Sequence, residues 1–181
     1  MLTVIRNGKF TGVRYPEDKE SYRRHHREQG DLCIWFEGEI ADHHDENGNP
    51  VYREVAPEQL IAHAKAEKKT AIQEAKKQVR DSGVTVDSIR FDTDITARIS
   101  YQEFAAKIAA DPAYTVPDWK ASGDVFVAMD AALYERISAA MEQLMGRVFT
   151  WQKDQNARVD AVSDPATAME ELEQISTTYT G

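Results

Sequence analysis

The sequence predicts an α+β fold: a small N-terminal antiparallel β module, a linker helix, then a domain in which a short antiparallel sheet packs with helices. Three observations carry that reading. Short apolar stretches flank Asn7-Gly8 and Asn47-Gly48, pairs that accept the positive φ angles of tight hairpins. A helical pattern opens at Pro57 and closes at Ser82-Gly83. A second helical run extends from Ala131 towards Val162 with no glycine before Gly146.

In chain order, LTVI and FTGVRY read as two strands around Asn7-Gly8. The segment PEDKESYRRHHREQ follows, with acids early, bases late and Gly30 behind it, which is the charge order and stop signal of a helix. Tyr22 is its only large apolar residue, so the helix is expected on the surface or held by polar contacts. DLCIWFEGEIA and VYREV then suggest a longer hairpin across the second Asn-Gly pair. The next helix carries a thin stripe of Ile61, Ala64, Ile72, Ala75 and Val79, interrupted by Lys68, which suits a linker or coiled-coil strand. VTV and IRF alternate around Asp87-Ser88 as a further hairpin. Ile95, Ile99, Phe104 and Ile108 fall at approximately helical spacing, and Asp111-Pro112 ends that helix. After a loop and the strand-like VFVAM comes the long run, on which Tyr134, Ile137, Met141, Leu144, Val148 and Trp151 alternate steps of three and four. That is the seam of a heptad, open to two readings: packing on the domain's own sheet, or oligomerisation. Ser163-Asp164-Pro165 starts a short last helix carrying Met169, Leu172 and Ile175. The resulting division is a β-rich module over 1–56, a linker helix over 57–83, an α+β domain over 84–162, and a short helix and tail over 163–181.

Length and charge limit the function classes. A chain of 181 residues fits one ordinary domain or two small ones. A net charge of -9 and a pI near 5.1 oppose attraction to nucleic acid or anionic lipid, so neither is expected as a partner. The sequence shows no apolar run of the ~18 residues a membrane span needs, and MLTVIRNGKF lacks the features of a signal peptide. Synthesis and retention in the cytosol are the expectation. Cys33, the single cysteine, sits in the apolar LCIWF and excludes an intrachain disulfide.

Asp92 and Asp94 in SIRFDTDITARISYQEF raise the question of a hard-cation site, with Asp87 as a third oxygen ligand. The favoured reading is a helix cap, because an acid just before Ile95 accepts the free amides of a helix start, with Thr93 as an alternative cap. His25-His26, His43-His44 and His63 are expected on a solvated surface, since adjacent histidines on a helix point about 100° apart and do not share one ion. An interchain metal at these pairs stays open. The stretch beginning at Asp45 fails as a calcium loop, with Pro50 where glycine is required and Ala56 where a carboxylate is. Phosphate-binding glycine loops, HExxH, GxSxG and CxxC are all missing from the sequence, and no cofactor or catalytic residue is expected. Trp119, in the polar VPDWKASGD, is a candidate partner contact or a core residue.

The elements VTVDSIRFDTDITAR, the WKA loop, the VAM strand followed by DAAL, and FTWQ together resemble the C-terminal domain found in many tailed-bacteriophage proteins, often encoded near tail fibre genes. The resemblance covers residues 84–152, and Ser88 stands where such relatives commonly carry glycine. It implies a structural part of a tail tip, baseplate or tail fibre, made in the host cytoplasm and placed in the virion tail. It further implies host attachment as a role, other tail or fibre proteins as partners, and a homo-oligomer, for example a trimer. The alternatives are a fibre-assembly chaperone absent from the particle and an enzyme acting on host surface polysaccharide. The family supplies no catalytic residue.

Overall fold

Turn chemistry sets the strand pairing in the computed structural model, which describes residues 1–164 and 166–181. Asn7 and Gly8 take φ of 51° and 74°, and Asp87 and Ser88 take 51° and 66°. Both turns therefore have the two consecutive positive φ angles of a type I′ hairpin. The fold is α+β and divides into two compact units.

The first unit comprises Met1–Glu67 and Ser163–Leu172. Strand β1 (Leu2–Arg6) is central, flanked in antiparallel register by β2 (Lys9–Tyr15) and β3 (Leu32–Trp35). Its alternate residues serve two cores. Leu2 and Val4 pack with Cys33, Tyr15 and Tyr22, while Ile5 packs with Phe10, Ile34, Ile40 and Val55. Helix α1 (Glu20–Arg27) lies against β3 and stacks Tyr22 on Tyr15, with ring centroids 4.2 Å apart. The expected longer hairpin resolves differently. Residues 32–35 pair with β1, and the hairpin over Asn47-Gly48 is the short pair β4 (Ala41–His44) and β5 (Pro50–Tyr52). The apolar run of β3 is what a strand beside the buried β1 requires. Asp45 closes that second turn, its Oδ1 accepting from the amides of Asn47 and Asn49 at 2.9 and 2.8 Å.

The second unit comprises Lys68–Val162 and Glu173–Gly181. Helix α2 (Pro57–Arg80) is divided between the units at Glu67 and Lys68. Beyond Lys68 it runs antiparallel to the end of the long helix α4 (Ala131–Ala161). Lys69 binds Asp160 at 2.6 Å, Gln73 meets Gln152 at 2.5 Å, and Lys76 lies over the Phe149 ring at 5.2 Å. Ile72, Val148 and Val159 are fully buried in this unit. Its other elements are the hairpin β6 (Val84–Val86) and β7 (Ile89–Phe91), helix α3 (Ile95–Ala110), and the hairpin β8 (Val116–Lys120) and β9 (Phe126–Met129). Phe91, Tyr101, Phe104, Met129, Leu133 and Ile137 centre the core.

Helix α3 turns a different face inward from the one its isoleucines suggest. Ala97, Tyr101, Phe104 and Ile108 face the core, whereas Ile95 and Ile99 are 64% and 50% exposed. Those four inward residues keep steps of four, three and four, and two aromatic rings bury more apolar area than two isoleucines. Gly83, at φ 96°, joins α2 to β6 where an added Cβ would lie 2.7 Å from the Phe91 carbonyl oxygen, so no larger residue fits. Helix α5 (Ala168–Glu173) follows Asp164, whose Oδ1 accepts from the Ala166 amide at 2.9 Å. Of the expected Ser163-Asp164-Pro165 cap, Pro165 lies outside the described residues.

Candidate functional site

FDTDIT places its three central residues in alternating directions. Thr93 is buried at 2% exposure; its hydroxyl accepts from the Gly83 amide at 2.9 Å and donates to the Arg80 carbonyl, fastening the hairpin to the end of α2. Asp94 is the N-cap of α3, its Oδ1 accepting from the Ala97 amide at 2.8 Å. Asp92 is not a cap. Its carboxylate points to solvent, while its backbone carbonyl accepts from the Tyr101 hydroxyl at 3.2 Å. Asp87 is also turned away and binds Arg136 of α4 at 3.0 Å.

Asp92 and Asp94 belong to one wall of a cleft of about 460 Å³. Asp92, Asp94, Thr96, Ala97, Ser100 and Tyr101 line it from the start of α3, and Val116, Asp118, Trp119, Lys120 and Ala121 line it from β8. Trp119 stacks on Tyr101 with ring centroids 5.5 Å apart at 17°, and meets Phe104 edge-on at 5.7 Å. Trp119 thus joins the core and also reaches the cleft. Burial first, and then the negative charge of Asp92, pushes the Tyr101 hydroxyl up to about 12. The side chains of Asp92 and Asp118 take no hydrogen bond or ion pair from the described residues, and Lys120 lies 3.7 Å from Asp124. Asp94 is engaged as a cap and Lys120 shares the cleft, while buried Tyr101 lies behind Trp119.

Of the six seam residues of α4, Tyr134, Ile137, Met141 and Leu144 join the core of the second unit. Ile137 and Val148 are fully buried. Tyr134 packs on Phe104 at 5.7 Å, and Met141 and Leu144 pack half-buried against the same core. With Met145, these two also line an apolar recess of about 220 Å³ beside Arg80, Thr93 and Arg98. Trp151 meets Tyr179 edge-on at 5.8 Å. Both arginines of the recess bind Asp81, and Arg80 holds that carboxyl below the usual carboxylate range.

His26 departs from the solvated surface expected of the histidine pairs. It is 7% exposed, with Nδ1 3.1 Å from Asp31 and Nε2 3.0 Å from the Tyr15 hydroxyl. The end of α1 sets this up: the Asp31 amide donates to the His26 carbonyl at 2.9 Å and the Gly30 amide to Arg27 at 3.0 Å, a Schellman pattern that swings Asp31 under His26. Arg6 completes the group with two bonds to Asp31 at 2.7 and 2.8 Å. The fixed guanidinium beside Asp31 holds its carboxyl below the ordinary range. His25 remains exposed near Gln29, His43 sits 3.1 Å from Asp42, and His63 reaches the Cys33 carbonyl at 2.9 Å. Among the described residues no three His, Cys, Asp or Glu side chains converge on one point.

Fold and cleft together define an α+β protein whose second unit carries a groove lined by acids and by Trp119. Residues 63–177 match the family described as a domain of unknown function (DUF4376), and the chain belongs to that family. The match is wider than residues 84–152 and takes in all of α3 and α4. No curated protein and no solved structure matches the chain.

Proposed function

We propose that this protein is a structural component of a phage tail tip, baseplate or tail fibre, acting by protein-protein assembly rather than catalysis. The observation that supports this best is the apolar surface left on the family unit. Ile95 and Ile99 lie one turn apart on α3 at 64% and 50% exposure, and Val125 and Phe126 are 46% and 58% exposed at the β8–β9 hairpin. These two exposed apolar pairs are the surface that the proposed partner would cover. The resemblance of residues 84–152 to tail-associated domains supplies the setting, and other tail or fibre proteins, or further copies of this chain, are the proposed partners.

Mass spectrometry of purified particles tests the placement. The expected result is peptides of this chain in fixed proportion to the other tail proteins. A chain abundant in the infected-cell lysate but missing from particles overturns the structural role in favour of an assembly chaperone. No membrane is invoked, and no described helix is long and apolar enough to cross one.

A further inference from the structure

We propose that the apolar recess beside Arg80 and Arg98 receives the tip of the β8–β9 hairpin of a second copy of this chain, with Phe126 as the inserted side chain. This names a partner for the assembly reading, and rests on that reading only in taking the wet apolar surface to be covered by protein. Strand register builds the donor side. Lys120 pairs with Phe126 across the hairpin and lies 3.7 Å from Asp124, so Asp124 and Phe126 share one face of it. Phe126 is 58% exposed and the Asp124 side chain is fully exposed, which presents an aromatic ring with a carboxylate beside it. The receiving side is the complement. Met141, Leu144 and Met145 wall a recess of about 220 Å³, and a dry apolar cavity of ~150 Å³ already admits a benzene ring. At its edge Arg80 and Arg98 both bind Asp81, two positive charges on one carboxylate among the described residues, in a chain of net charge -9. The ring fits the recess and Asp124 complements the surplus guanidinium charge, while repulsion between two acidic chains is screened beyond about 8 Å at physiological salt. Donor and receiver are different patches of one molecule, so the contact is head-to-tail and every copy carries one of each.

Light scattering on a sizing column reads the assembly state of the full chain at about 0.1 mM protein and ~0.15 M salt. Wild type is expected to run above monomer mass. Phe126→Ser, at an exposed position that keeps its fold, and Met145→Glu, which puts negative charge into the recess, are each expected to dissociate at least about 10-fold more readily. Mixing the two variants is the decisive arm. The first retains the recess and the second retains the hairpin, so together they are expected to form a dimer that grows no further. Ile95→Ser/Ile99→Ser, an equally wet pair on α3, is expected to leave assembly within about 2-fold of wild type. A monomeric wild-type chain overturns the proposal, as does a Phe126→Ser chain that assembles like wild type. So does a mixture that stays monomeric when circular dichroism shows both variants folded, or an equal loss in the α3 pair, which would reduce the effect to general stickiness. A chain found in particles but monomeric alone sinks this contact and leaves the assembly reading standing.

Discussion

Asp31 has a side chain wholly removed from water and a folded-state pKa held down mainly by Arg6. A depressed carboxyl contributes stability above its unfolded value of about 4, and that contribution is lost as pH falls through the folded value. The first unit is therefore expected to lose urea resistance on acidification from pH 6 to 3, and Asp31→Asn to flatten that dependence while lowering stability at neutral pH. Urea midpoints against pH check both. Ser88 is a second residue whose effect is directional. At φ 66° it holds a left-handed conformation that costs a non-glycine residue about 1 kcal/mol, so Ser88→Gly is expected to stabilise by roughly that amount. Thermal unfolding should then move up by about 2–4 °C. At this scale the sequence was partly legible. The Asp94 cap follows from an acid placed before an apolar helical run, but the buried role of Thr93 depends on α2 ending beside it. The His26–Asp31 contact likewise depends on Arg6, which approaches from another strand.

Helices α3 and α4 show what periodicity tells and what it omits. On α4 the alternation of three and four picks out a buried stripe, since Ile137 and Val148 are fully enclosed. The same spacing is silent on who covers it, because a chain's own sheet and a second helix both demand an apolar stripe. Ile137→Ala is expected to cost about 2–5 kcal/mol, the usual range for emptying a filled core site, read as a lower urea midpoint. On α3 the apolar residues outnumber the places available in the core, and the aromatic pair takes those places, leaving the isoleucines outside. Gly146 lies within the ~46 Å length of α4, and an added Cβ there meets nothing within 4 Å. Gly146→Ala should therefore stabilise by about 0.5–1 kcal/mol in thermal denaturation, the difference in helix propensity. No gain would mean that the helix needs glycine there for a neighbour to approach.

Across the whole molecule, composition was informative about charge and uninformative about division. The thin apolar face of the helix over 57–83 suits a linker or a coiled-coil strand, and its second half is bound to α4 through Lys69, Gln73 and Lys76. Those contacts join residues some 70 to 90 positions apart in sequence, beyond the reach of any local pattern. The negative charge gives a global expectation: self-association measured by light scattering should rise as pH is lowered from 7 towards the pI near 5.1, where mutual repulsion vanishes. The lone thiol has a use of a different kind. Cys33 is 5% exposed in the first unit, burial raises its pKa, and the second unit contains no cysteine at all. Its rate of modification is thus a clock that starts only when the first unit opens, timing one half of the chain while the other half stays invisible to the reagent.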